Sequence, residues 1–419
     1  MTEAGPQQAS PRSLSPDIVR IFITRILRMF AYGALSIILV VYLVRIGTPK
    51  FYAGLLLTLA LAGDIGVSLW VTTQADRIGR KRMLIGSGLL MLLAGVAFAL
   101  TGVYWVLLLA AIIGIVSPTG NDVGPFLPIE QAALSAQTPA DRRTGLLAWY
   151  HLAGSVATAT GALAAGNLVE LLRSRRVSTV TSYRCVPIMY AALAGAMIIV
   201  YLFLSRRTEA PPRAENQPKA GRMGLHASRG IVLKLSALFT LDALGGGLIM
   251  QALIAEWFHL KFHVNPGVLG DIFFGCNILA GISALLAARI AKRIGLLNTM
   301  VFTHVPSNIL LMLVPLMPNV YLAVLMLLLR FSISQMDVPT RQAYTMAVVH
   351  PDERSAANGI TNVVRSVGAA VGPLFTGVFL AHPSLWSLPF LIGGGLKLIY
   401  DGLIFISFRS TMPVEGVRP

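Results

Sequence analysis

The chain alternates long apolar runs with short polar gaps. The runs lie near 22–45, 51–73, 83–103, 105–128, 144–168 and 185–204, then near 231–256, 267–288, 299–317, 320–346, 357–381 and 385–408. About 20 apolar residues in a helix cross a bilayer core, and each run is about that long. Between the two sets, Ser205 to Gly230 is rich in Arg, Lys and Pro and reads as a solvated linker. The pattern predicts an all-α membrane protein with 12 transmembrane helices in two six-helix halves. The expected division is a cytoplasmic tail 1–16, a first half 17–204, a basic linker 205–230, a second half 231–408 and a cytoplasmic tail 409–419.

The two halves read as copies of one unit. The charged knot Ala75 to Arg82 (ADRIGRKR) between the second and third runs has a shortened copy, Ala291-Lys292-Arg293-Ile294-Gly295, between the eighth and ninth. Pro128-Ile129-Glu130-Gln131-Ala132 aligns with Pro339-Thr340-Arg341-Gln342-Ala343, and Pro139-Ala140-Asp141-Arg142 with Pro351-Asp352-Glu353-Arg354. Gly33 pairs with Gly247, Gly145 with Gly359 and Gly154 with Gly368. Chance likeness among Gly-rich apolar helices would not hold so steady an offset. Parallel repeats of this kind surround a central substrate path.

Composition and charge narrow the partners. The chain is 55% hydrophobic and 12% charged, against about 25% charged in soluble domains. With 34 bases and 18 acids the net charge is +16. The bases crowd into the gaps between spans, which fits anionic lipid headgroups rather than nucleic acid. Their excess on one set of gaps places both termini in the cytoplasm, in the plasma or inner membrane of the cell. The outer loop Glu170 to Arg184, with Arg173, Arg175, Arg176 and Arg184, runs against that trend. The polar first 16 residues contain Pro6, Pro11 and Pro16, and the run after them is longer than a signal-peptide core, so the first helix is expected to stay in the membrane. Cys185 and Cys276 are read as packing residues. No P-loop, dinucleotide fingerprint, HExxH or Cys/His cluster occurs, so no enzyme activity, cofactor or metal is expected.

The charged knot resembles the signature loop of the major facilitator superfamily of secondary transporters, which reads roughly GxLADRxGRR between the second and third helices. Here Thr72-Thr73-Gln74-Ala75-Asp76-Arg77-Ile78-Gly79-Arg80-Lys81 keeps the Asp, the Arg pair and the Gly, and departs at Thr72 and Gln74. The resemblance covers essentially the whole chain and implies the superfamily fold. Within it the chain resembles the drug and metabolite proton antiporters. Two marks of that branch are displaced: the fourth span carries Asp122 and Glu130 with no Arg, and Gly-Pro occurs at Gly372-Pro373 in the eleventh span rather than in the fifth. The resemblance therefore speaks more strongly for transport than for export. The loop implies a cytoplasmic gate made of Asp76, Arg77, Gly79 and Arg80, with Lys292, Arg293 and Gly295 in the copy. Gly79 permits a reversal at positive φ, and Asp76 can accept from helix N-terminal NH groups or from Arg80.

Ionisable residues inside spans are costly and so are functional candidates. Asp64 lies 12 residues before Asp76, about 18 Å along a helix and near mid-membrane. It is the first candidate for carrying a proton, the alternative being permanent pairing with an Arg. Asp122, Asp242 and Asp337 follow. Candidates along the substrate path are Arg28, Asn121, Glu130, His151, Arg330, Gln335, Arg341 and Arg365. Arg28 is expected to pair with its repeat mate Asp242 across the cavity, and the alternative to a substrate-path role for Glu130 and Arg341 is that they pair with each other across the two halves. Arg20 and Arg25 are expected to snorkel to headgroups.

These features predict a secondary transporter working by alternating access, leading to proton-coupled export of a small drug-like compound or metabolite. Uptake or exchange of an organic anion is the alternative favoured by Arg28, Arg330 and Arg365. A receptor or scaffold that no longer transports is the rival from another class. The expected partners are a small-molecule substrate, protons and the lipid bilayer, with no obligate protein partner.

Overall fold

The structure, a computed structural model, describes residues 15–209, 228–350 and 353–409, without the side chains of 76, 140, 141, 144 and 355. The expected tails and most of the basic linker therefore lie outside the described residues. The first half comprises α1 (Pro16–Arg45), α2 (Lys50–Ile78), α3 (Arg80–Leu100), α4 (Tyr104–Ile113), α5 (Phe126–Ala136), α6 (Ala140–Ser174) and α7 (Thr179–Leu202). The second comprises α8 (Arg229–Leu248), α9 (Gln251–Phe262), α10 (Pro266–Ile294), α11 (Leu296–Leu313), α12 (Val320–Ser334), α13 (Asp337–Val348), α14 (Arg354–Ala381) and α15 (Leu388–Phe408).

Among the described residues, eleven helical stretches are long and apolar enough to cross a membrane, α8 with α9 and α12 with α13 each counting as one. The twelfth crossing is α4 followed by α5, with a non-helical stretch at 114–125. Pro118 and Pro125 remove helical donors there, and Gly120 and Gly124 adopt φ of 71° and 83°. The repeat-related tenth crossing breaks at Gln335 and Met336, ahead of Pro339.

The internal repeat is visible in the packing. α1 lies on α6 and α3 on α7 in the first half; α8 lies on α14 and α11 on α15 in the second. The halves meet through α2 on α14 and α6 on α10, which are exchange-related contacts. A Cβ at Gly33 would sit 2.0 Å from the Thr158 carbonyl oxygen, and one at its repeat mate Gly247 would sit 2.2 Å from that of Ala369. Both glycines let the first helix of a half touch the fifth backbone to backbone. α1 is central: every residue from Ala31 to Leu43 is buried.

The charged knot is tighter than the apolar runs suggested. α2 continues to Ile78 and α3 starts at Arg80, so Gly79 alone reverses the chain, at φ 111°. Gly295 does the same between α10 and α11 at φ 87°. Glu209, at the start of the linker, accepts hydrogen bonds from the N–H groups of Arg80 (2.6 Å) and Lys81 (3.3 Å). It supplies the negative charge that favours a helix N-terminus. Lys81 Nζ donates to the carbonyls of Leu202 and Leu204 at the end of α7.

Candidate functional site

Below, the face where α1 begins and α15 ends is called the terminal face, and its opposite the far face. A cavity of about 370 Å³ lies between the halves. Arg25, Asn121, Asp122, His151 and Thr158 line it from the first half; Gln251, Asn277, Arg330, Phe331, Gln335 and Lys397 line it from the second. The breaks in the fourth, seventh and tenth crossings bring Asn121, Gln251 and Gln335 to its wall.

Toward the far face the halves close on each other. A Cβ at Gly54 would lie 2.5 Å from the Pro373 carbonyl oxygen, and one at Gly166 would lie 2.3 Å from that of Pro266. Gln251 Nε2 donates to Ser36 Oγ (2.8 Å), and the Ala252 N–H donates to the Pro118 carbonyl (3.2 Å).

Each half buries its own charge cluster. In the first, Arg28 donates to both oxygens of Glu130 (3.0 and 2.7 Å) and to Asp122 Oδ1 (3.2 Å). Tyr201 donates to Glu130 Oε1 (2.6 Å), Tyr150 donates to Oε2, and Thr24 donates to Oε1 (2.9 Å). Arg25 forms an ion pair with Asp122 and lies over the Tyr150 ring. In the second half, Asp242 meets Lys397 Nζ (2.5 Å) and Arg341 Nη1 (3.1 Å), with Arg365 Nη2 at 3.8 Å. Arg341 also reaches Asp337 (2.8 Å), and His304 bridges to Asp401 (2.7 Å).

These clusters correct three expectations. Arg28 pairs with Glu130 and Asp122 rather than with Asp242. Glu130 and Arg341 likewise do not pair with each other, because each finds an opposite charge within its own half. Arg25 does not snorkel: it is 4% exposed and held by Asp122.

The remaining candidates separate clearly. Arg330 is 9% exposed, among the described residues its Nε has no hydrogen-bond partner and it has no ion-pair partner, and its guanidinium lies 5.0 Å from the Phe331 ring centroid. Asp64 lies outside the cavity lining; Ser68 and the Gly124 N–H approach it, and no cation among the described residues pairs with it. His151 faces the cavity and meets Gln131 (3.0 Å). Asn121 and Gln335 line the wall with their backbone groups bonded, those of Asn121 to the nearby Thr119 and Ser117 hydroxyls and the Gln335 N–H to Ser283 on α10. Arg77, Lys292 and Arg293 are exposed near the terminal face. The side chain of Asp76 lies outside the described residues, so its expected bond to a helix N-terminus has no description; Glu209 fills that place on α3.

Sequence reasoning passed over Lys397, Asp401, His304, Gln251 and Asn277. Lys397 and Asp401 were the only charges inside the last run at 385–408, which is signal enough by the rule that intramembrane charges are costly.

The profile described as Major Facilitator Superfamily matches residues 21–253 and 235–419. An uncharacterized membrane protein of Saccharomyces cerevisiae, YJR124C, is 29% identical over 94% of this chain and 94% of its own length. Multidrug resistance protein MdtG of Escherichia coli is 24% identical, over 77% of this chain and 76% of that one. Among solved structures, nucleoside transporter NupG superposes with a TM-score of 0.71 at 15% identity, covering 94% of this chain and all (100%) of that one. A bacterial homolog of the human lysosomal transporter Spinster, inward-facing and occupied, gives 0.72 at 15% identity, covering 95% of this chain and 98% of that one.

Proposed function

The chain belongs to the major facilitator superfamily and is a non-enzymatic, multi-pass membrane transporter; from that premise we propose that it moves a small organic anion through the central cavity by alternating access. The observation that carries this reading is Arg330. The first-half cluster sets Arg25 and Arg28 against Asp122 and Glu130, and the second sets Lys397, Arg341 and Arg365 against Asp242 and Asp337, with His304 and Asn308 on Asp401. Among the described residues, Arg330 is the cavity-wall guanidinium without an acid within ion-pair distance. A buried, unpaired guanidinium is expensive, and an anionic substrate group supplies its partner. Asn277, Gln251 and Gln335 add neutral polar groups to the same cavity wall.

A second reading is proton-coupled export of a drug-like compound, supported by the likeness to a multidrug resistance protein. In both readings Asp64 is the proton carrier, since it lies near mid-membrane and no cation among the described residues pairs with it. We place the protein in the cell membrane with both termini cytoplasmic, so that the far face is external and the cavity is the inward-facing site. It works as a single chain with no obligate protein partner.

A thermal-shift screen of the purified protein in detergent tests the substrate class, using matched panels of small organic anions, lipophilic cations and neutral solutes. Stabilisation by anions alone, lost in Arg330→Gln, is the expected result. Stabilisation by cations that survives Arg330→Gln favours the drug reading.

A further inference from the structure

We propose that Glu256 is a proton-binding site of the far-face gate: it holds a proton while the halves are closed there and loses it when they part. This stands apart from the reading of the cavity, because it needs no particular substrate.

Glu256 lies on α9, the second-half helix that packs against α1. It is 1% exposed, and neither of its carboxylate oxygens has a hydrogen-bond partner. All eight residues from Gln251 to Phe258 are buried, and the Trp257 ring packs 4.7 Å from Phe390. An ionised carboxylate here would be stripped of water with no donor in return, whereas the neutral acid carries no such charge. Glu256 therefore sits in a wall that opening must dismantle.

The charges around it are already engaged or distant. On α1, Arg45 meets His259 at 3.0 Å; at the start of α2, Lys50 Nζ lies 5.8 Å from the Trp386 ring centroid. Both send their field to Glu256, yet neither forms an ion pair with it. α7 brings Tyr183, whose buried hydroxyl also lacks a partner, and α6 brings Glu170 and Arg173. On α9 itself are His259, which also bonds to the Val264 carbonyl, and Lys261, which reaches the Pro315 carbonyl. His382 at the far end of α14 is exposed and bonded to the Val378 carbonyl, and α15 presents apolar Phe390.

When α9 and α1 separate, water reaches Glu256 and the cations Arg45 and Lys50 become available to its ionised form. Proton release and far-face opening are then linked equilibria. With one proton linked, the open-to-closed ratio changes by up to about tenfold per pH unit.

Pulsed electron paramagnetic resonance on the purified full chain tests this directly. In a Cys185→Ser, Cys276→Ala background, spin labels go at Ser174→Cys and Ser384→Cys, exposed positions at the far-face ends of different halves. In the otherwise unaltered chain the long-distance population should grow severalfold from acidic to alkaline buffer. Glu256→Gln should keep the short distance at every pH. Glu256→Asp and His259→Gln should each retain the pH response. A pH profile in Glu256→Gln like that of the parent, no pH response in the parent, or loss of the response in His259→Gln would each overturn the proposal.

Discussion

Arg28 and Glu130 form a fully buried ion pair, each 0% exposed, at positions that the repeat matches to Asp242 and Arg341, which are also paired. The two halves thus keep one bridge between their first and fourth helices with the charges exchanged. Removing one partner leaves the other uncompensated, so Arg28→Ala is expected to destabilise the protein by about 3–5 kcal/mol. Glu130→Ala should cost a similar amount, and the double variant less than the sum, as neighbours in one network do. Unfolding of the purified protein in detergent, followed by circular dichroism, gives the cycle.

Helix contact through glycine carries a separate prediction. Gly33→Ala drives a Cβ to 2.0 Å from a backbone oxygen, and Gly247→Ala to 2.2 Å, while a Cβ at Gly195 meets nothing within 4 Å. Overpacking of this kind costs about 1–3 kcal/mol or more. Gly195→Ala should melt like the parent, and both other variants clearly below it.

Gly54 bears on the transport cycle rather than on either half alone. Its neighbours Pro373 and Gly377 belong to the other half, so Gly54→Val should wedge the far face apart without touching either charge cluster. The Ser174→Cys and Ser384→Cys label pair should then report mainly the long distance. A closed population equal to the parent's would show that this contact does not hold the gate.

Asp64 is expected to couple transport to protons. Asp64→Asn should abolish substrate-linked proton movement in proteoliposomes while leaving anion binding in detergent intact. Proton movement that survives the change would leave Asp64 a structural residue.

Much of this arrangement was legible in the sequence because membranes impose a coarse grammar. Span length, the charged knot with its shortened copy, and the repeat of Gly33 in Gly247 all follow from needs that the chain states openly. Pairing was not legible. The matched positions 28 and 242 suggested a bridge across the halves, but which acid an arginine meets depends on helix rotation: Arg28 turns toward α5, and Asp242 toward Lys397 on α15. Arg25 looked interfacial from its place in the run, yet Asp122, carried inward by the non-helical stretch at 114–125, holds it inside. Glu209 was invisible for a different reason, since a linker acid gains its role only when the chain folds back onto the N-terminus of α3.

Anion transport through Arg330 is tested by counterflow in proteoliposomes loaded with one unlabelled small organic anion and diluted into its labelled form, comparing the parent with Arg330→Gln and Arg330→Lys. The parent should accumulate label transiently, and Arg330→Gln should lose at least tenfold, about 1.4 kcal/mol, with Arg330→Lys only partly active because a point charge replaces a planar fork. Accumulation of lipophilic cations but of no anion, or equal anion counterflow in Arg330→Gln, would contradict anion transport through Arg330.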